Sequence, residues 1–361
     1  MFERRLYYHI DWGLLAALFA LCGIGLVQIY SATGGWTGIF QMQIYGILLG
    51  LVALAVCLGI DYRSMADKSH FIYIGIILLL VYVLFFGAVR GGSRRWIDLG
   101  AFNLQPSEFA KAVLALVLAK FFGESRRGAV TRVDLLIAGA ITAVPLLVIA
   151  QQPDLGTAVT LLPVAFAVAY VAGMPMRFLG ILTLLGLLAA PVAWNFALQD
   201  YQKERISTFM DPSQDPRGAG YQQIQARITV GSGGLWGKGF TQGTQGQLRF
   251  LPVAHNDFIF SVLAEEHGFA GVIVTLGLYL FVILRALESA RLAKDRLGAY
   301  LVLGVLASFT FQVMYNITMS AGLAPVKGLT LPLMSYGGSS MIATLAGFGL
   351  ILNVRMRRFT N

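Results

Sequence analysis

Apolar runs of about twenty residues recur from one end of the chain to the other, separated by short polar segments. A run of about 20 apolar residues is what a helix needs to cross the hydrocarbon core of a bilayer. Lipid offers no partner to a backbone N–H or C=O, so each run must satisfy its own, and the helix does so. Composition agrees: 57% of the 361 residues are hydrophobic and 12% are charged, against about 25% charged in a soluble domain. Ten spans are predicted, near 12–30, 39–59, 71–89, 106–122, 134–151, 155–172, 178–197, 258–286, 298–319 and 335–353. The expected fold class is an all-α integral membrane protein, one polytopic domain over 1–361, with one large extracytoplasmic loop, 198–256, between spans seven and eight. The first run is long and lacks a small-residue cleavage site, so it reads as a retained span. Cys22 and Cys57 both lie inside apolar runs and read as small buried residues rather than a disulfide or metal pair.

The net charge of +9 would raise nucleic acid as a partner for a soluble protein. Here the distribution of basic residues accounts for it, and no nucleic acid is expected. With the N-terminus inside, 16 basic residues fall on the cytoplasmic side, among them Arg4, Arg5, Arg126 and Arg127. Four fall in short outer loops: Arg90, Arg94, Arg95 and Lys327. The positive-inside bias puts both termini on the cytoplasmic side of the membrane. Two outer segments stand out. One is the basic loop 90–108; the other is 198–256, rich in Gly and Gln, whose aromatics and few charges suggest an ordered cap.

Charged side chains within spans cost several kcal/mol or require partners, so each is a candidate. Glu108 and Lys111 are three residues apart and share a helix face. They read either as a structural ion pair or as the lining of a polar cavity. Asp154, in "QQPDLGT", reads as a helix N-cap or as a substrate contact. The densest cluster is "HNDFIFSVLAEEHG", residues 255–268, with His255, Asp257, Glu265 and Glu266. Asp257, Ser261 and Glu265 recur every four residues and should share one helical face, with Glu266 about 100° away. Asp257 reads as an N-cap or as a carboxylate in a half-apolar cavity, where a raised pKa suits a base. Glu265 and Glu266 read as an orienting ion pair or a snorkelling end. The run "GSGGLWGKG" is no phosphate loop, because Ser232 stands where a Walker motif needs Gly and Gly239 where it needs Ser or Thr. It reads as a tight Gly-built turn, and "YGGSS" as close helix packing or a helix start.

The motifs "GSRRWIDLG", "LQPSEFAK", "QPDLGTA", "GAGYQQIQARITVGSGGLWGKG", "FLPVAHNDFIFSVLAEEHG" and "PLMSYGGSSM" occur here in the order seen in the SEDS family (shape, elongation, division, sporulation), which the chain resembles over nearly its whole length. "GKGFTQGTQGQLRFLP" is closer to the RodA-like elongation branch than to the FtsW-like division branch. The resemblance implies a ten-span peptidoglycan glycosyltransferase that polymerises lipid II. It implies a catalytic Asp at Asp257 and a functional pair at Glu108 and Lys111. It further implies a class B penicillin-binding protein as partner, alongside other elongation-complex proteins. Asn256 stands where the family commonly has Thr, and His267 where it has a Leu-type residue.

The residue chemistry suits that reaction. A donor reaching an outer-facing site must arrive on a lipid, and a pyrophosphate leaving group needs cations more than an acid. Lys111, Arg94, Arg95 and Lys327 are candidates to hold it. A sugar hydroxyl is a poor nucleophile and is helped by a base, for which Asp257 is the candidate. A divalent cation, Mg or Mn, is left open, since the sequence shows no dedicated cage of ligands. Two other readings stay open: a lipid II flippase, which predicts an inverted repeat, and a non-catalytic scaffold. The division paralogue would share the chemistry.

Overall fold

A computed structural model describes residues 9–90, 93–100, 102–125, 130–196, 200–215, 218–248 and 250–359. Arg4, Arg5, Arg126 and Arg127 lie outside them. In chain order the elements are α1 Trp12–Ala32, α2 Gly38–Gly59, α3 Tyr62–Asp67, α4 Ser69–Phe86, β1 Ala88–Arg90, β2 Ser93–Asp98, β3 Asn103–Leu104 and α5 Pro106–Gly123. There follow α6 Arg132–Gln151, α7 Leu155–Ala172, α8 Met176–Phe196, α9 Asp200–Met210, α10 Ala219–Ser232, α11 Thr244–Gln247, α12 Ile259–Arg291, α13 Arg296–Ser320 and α14 Gly338–Met356. The protein is an all-α integral membrane protein. A helix lies at each of the ten expected spans, and among the described residues eight helices are long and apolar enough to cross a membrane. The two outside that group are α5, which carries Glu108, Lys111 and Lys120, and α8.

Short polar residues start these helices by taking up their orphan N–H groups. Asp11, Thr37, Asp61, Asp154 and Asp295 each accept from the first turn, and Thr131 with Asp134 forms a reciprocal capping box before α6. Helices α14 and α13 form the centre, with 78% and 61% of their most apolar windows buried, against 22% for α4 and α6 at the periphery. Glycine permits a close approach between α2 and α14: a Cβ on Gly349 would stand 2.7 Å from the Leu54 carbonyl oxygen. Gly338 packs against Gly46 and opens α14, so "YGGSS" serves both roles expected of it.

The segment 198–256, expected as an ordered cap between spans seven and eight, holds the helices α9, α10 and α11. Two expectations are corrected. The basic segment 90–108 is no plain loop; β1, β2 and β3 pair antiparallel, with Ala88 opposite Trp96 and Ile97 opposite Leu104. Finally, the eighth expected span is not one continuous helix. Gly268 breaks α12 with φ 63 and ψ −162.

At that break the Gly-rich run takes over the lost pairing. An unbroken helix would bond the N–H of Phe269 to the carbonyl of Glu265, and that of Ala270 to Glu266. Instead Lys238 N and Gly239 N donate to the Glu265 and Glu266 carbonyls at 2.9 and 3.0 Å. Phe269 N and Ala270 N donate to the Gly234 and Leu235 carbonyls at 2.9 and 3.1 Å. The tight contact excludes any side chain at Gly268, where a Cβ would meet Gly237 N at 2.3 Å.

Gly268→Ala should therefore cost at least about 1–3 kcal/mol from backbone strain alone. It should lower the unfolding temperature in detergent, whereas Gly277→Ala, on the same helix with open space around it, should leave it unchanged or slightly raised.

Candidate functional site

Asp257 lies just before α12. The helix takes Phe258 as its N-cap and draws no side-chain cap bond from Asp257. The N-cap reading is thus corrected, and so is the shared face with Ser261 and Glu265, because Asp257 precedes the first helical turn. Its carboxylate faces a cavity of about 320 Å³ lined by Arg95, Asp154, Arg205, Gln222 and Lys327 among others. Oδ1 is buried with no hydrogen-bond partner in the protein. Burial pushes Asp257 up to about 6, against the pull of the Arg95 and Arg205 charges. Across the cavity, burial and the like charge of Arg205 lower Lys327. Gly328, at φ 64, lets the backbone pass beside the carboxylate; a Cβ there would stand 3.5 Å from Oδ2.

Strand geometry decides which arginine enters. Arg94 and Arg95 are neighbours on β2 where its pairing with β1 shifts register: Val89 lies opposite Arg94 and Ala88 opposite Trp96, which leaves Arg95 as the extra residue of a bulge, a feature that re-aims a side chain. Arg94 turns away and donates to the Phe85 carbonyl at 3.2 Å. Arg95 turns in and pairs with Asp154 Oδ1 at 3.3 Å. Asp154 is the N-cap it resembles, accepting from Thr157 N at 3.2 Å, and its Oδ2 accepts from Gln105 Nε2 at 3.0 Å. Its oxygens are committed to holding α7 and Arg95.

Arg95 and Gly328 also wall a second cavity, of about 290 Å³, lined by Trp96, Asn103, Glu108, Asn256, Tyr336, Ser339 and others. Glu108 reaches it from the first turn of α5. Lys111 does not. Its Nζ bonds Glu108 Oε2 at 2.8 Å and Gln312 Oε1 at 2.9 Å, and it lines a small gap between α5, α13 and α14. Arg94 and Lys111 are therefore not assembled with Asp257.

The rest of the acidic cluster does structural work. Glu265 is fully buried and grips the segment beyond the Gly-rich run: Oε1 accepts from Lys238 Nζ at 2.6 Å, Thr244 Oγ1 at 3.1 Å and Gln245 N at 3.1 Å. Glu266 accepts from Ser31 of α1, and beside it Gln28 bonds the His267 ring at 3.2 Å. Ser261 is buried, its hydroxyl without a partner. The His255 ring packs edge-on to Tyr336, with centroids 5.7 Å apart, and burial lowers its pKa. Sequence reasoning missed Arg205. It sits on α9 in the mixed-charge stretch "YQKERIST", and the only signal for it was the presence of a cation in a segment expected to cover the site.

A half-buried carboxylate ringed by basic residues at one end of a helical membrane bundle restricts the family, and comparison with known proteins identifies it. Residues 12–359 match the family model for FtsW, RodA and SpoVE, described as "Cell cycle protein". The chain belongs to that family. It is 39% identical over 350 residues to "Peptidoglycan glycosyltransferase MrdB" of Escherichia coli (strain K12), covering 97% of this chain and 94% of that protein. Among solved structures it resembles a chain of a peptidoglycan synthase complex reported for "structural coordination of polymerization and crosslinking", with TM-score 0.87, 34% identity, and 98% of this chain and 99% of that chain covered. It also resembles the rod shape determining protein RodA of Thermus thermophilus, with TM-score 0.74, 32% identity, and 98% of each chain covered.

Glu265→Ala should loosen one segment before it unfolds the bundle. The backbone amides of Gln245 and Gly246 lose their acceptor, and hydrogen bonds to charged groups are worth about 1.5–3 kcal/mol each. Amide exchange read by mass spectrometry should speed at least tenfold across 238–247, with α13 and α14 unchanged.

Proposed function

We propose that the chain is a peptidoglycan glycosyltransferase that polymerises lipid II into glycan strands during cell elongation. The observation that carries the reading is Asp257: an uncapped carboxylate, one oxygen unpartnered, in a cavity with Arg95, Arg205 and Lys327. Asp257 takes the proton from the acceptor's GlcNAc 4-hydroxyl. The freed oxygen pair attacks the anomeric MurNAc carbon of the donor, the bond to undecaprenyl pyrophosphate breaks, and the α-linked donor becomes a β-1,4 linkage. The three cations hold the departing pyrophosphate, which carries away the negative charge that develops. One carboxylate suffices because this leaving group needs no proton, unlike the paired carboxylates of most glycosidases. Among the described residues no three His, Cys, Asp or Glu side chains converge to cage a metal; a magnesium or manganese ion held by one carboxylate and the pyrophosphate would need no such cage.

The same reading takes the bundle as ten spans of the inner membrane with both termini cytoplasmic, the cavity outside, and 198–256 covering the acceptor strand. Its partners are a class B penicillin-binding protein, as the likeness to a synthase complex supports, and other elongation-complex proteins. Similarity to MrdB and RodA favours elongation over division.

The test is lipid II polymerisation by the purified chain with its transpeptidase partner, whose acyl site is inactivated. Asp257→Asn should lower the rate by about 10²–10⁴, the usual worth of a general base. Strands from a folded Asp257→Asn protein would overturn the assignment; lipid II crossing vesicles without polymerisation would favour a flippase. The variant should unfold no earlier than the parent at pH 7.5. A carboxyl raised from 3.8 to about 6 by burial favours the folded state when protonated, and that contribution is lost as pH rises between those values. Asparagine carries no such charge.

Polymerisation by the parent chain should fall as pH drops through about 6, where the base becomes protonated. Arg95→Ala should cost about 100-fold in rate, whereas Arg94→Ala should stay within about threefold, because its side chain turns away from the cavity.

A further inference from the structure

The two walls of the Asp257 cavity come from separate stretches of chain. Asp257 ends the segment leading into α12, while Lys327 and Gly328 belong to the segment between α13 and α14. Neither wall is helical at these residues, so helix hydrogen bonding does not set their spacing. One side chain spans both. Asn316, on α13, is fully buried, and its Nδ2 donates to the Asp257 carbonyl at 2.9 Å and to the Leu329 carbonyl at 2.7 Å.

The amide's orientation follows from its partners. Two carbonyl oxygens require a donor, so the NH₂ must face them and Oδ1 must face away. Oδ1 is left buried with no partner. A half-satisfied amide in a bundle core is costly. Features that break a local rule in this way concentrate where function demands them. No other described side chain bonds the carbonyls of both walls. Tyr315, the neighbouring residue, bonds only the Pro325 carbonyl, at 2.8 Å.

From this geometry we infer that Asn316 is a positioning residue: its single amide fixes the distance between the Asp257 backbone and the 327–329 segment, and thereby sets the carboxylate against Lys327 for the reaction. The inference rests on the proposed role of Asp257. Asn316 does not itself line the cavity and does not touch the reacting atoms; it acts through the two backbones it joins.

Side chain and bond length make the inference testable. Asn316→Gln keeps both donors and moves them by one methylene. Asn316→Ala removes them. Both are assayed in the full chain with its transpeptidase partner, on lipid II, with kcat and KM separated and thermal unfolding followed in the same detergent. Asn316→Gln should unfold within a few degrees of the parent and lose at least tenfold in kcat, with KM for lipid II changed by less than threefold. Asn316→Ala should lose more in kcat. Tyr315→Phe, which removes one bond to the same inter-helix segment, should keep kcat within threefold. A folded Asn316→Gln protein with parental kcat would overturn the inference. So would a rate loss that merely tracks the fraction of folded protein, or failure of both variants to fold, since either makes Asn316 a stability residue only. Asp257→Asn run beside them separates the two failures. If it polymerises, the role of Asp257 falls and this inference with it; if it is inactive while Asn316→Gln is normal, only this inference falls.

Discussion

The broken α12 is the constraint on which the site depends. A helix interrupted at Gly268 leaves two carbonyls and two N–H groups without intrahelical partners, and in a low-dielectric setting each unpaired group costs several kcal/mol. The run at 234–239 restores all four pairings through its own backbone. It can approach only because it is glycine-built: Gly234, Gly237 and Gly239 all have positive φ, a region other L-residues avoid. Glu265 then fastens the following residues from the same helix. Broken helix and Gly-rich run complete each other's hydrogen bonding, so neither is stable in this form alone. The short half-helix after Asp257 is held in place by that joint.

From there the chemistry follows by exclusion. Aspartates Asp154 and Asp257 begin with the same prospects, each just ahead of an apolar helix. Asp154 is consumed by a cap, an amide and a guanidinium. Asp257 is turned from its helix, half-buried, and answered only by charges across a cavity. A group whose ionised form is stabilised at long range rather than by direct hydrogen bonds stays basic enough to accept a proton near neutral pH. Environment, not residue type, divides the two.

Much of the fold was legible because lipid enforces it. Each apolar run must be a helix, and the ten expected positions all carry one. The break in α12 was not legible: glycine is common within membrane helices, and nothing in "EEHGFAG" marks which one departs from helical geometry. The hairpin was missed because β1, β2 and β3 are only three, six and two residues long, too short for alternation to register. Asp257, Arg95, Asp154 and Lys327 were expected in the site and line one cavity. Arg94 was expected there on charge, and Lys111 on charge and on the family resemblance, and charge carries no direction. Arg205 and Asn316 were missed for the opposite reason. Each owes its place to tertiary proximity, across 52 and 59 positions of chain respectively, which no local pattern reports.

The hairpin has a consequence for how related chains can differ. Arg95 is the one residue by which β2 exceeds β1: Ala88 faces Trp96 and Val89 faces Arg94, and the register shifts between them. Such a bulge leaves its extra residue unpaired and re-aims the side chain it carries. Deleting one residue there would restore even pairing, and alternation along a plain strand, with its period of two, would then decide which arginine faces the carboxylate. Length on that stretch is therefore as much a part of the site as the identity of the arginine.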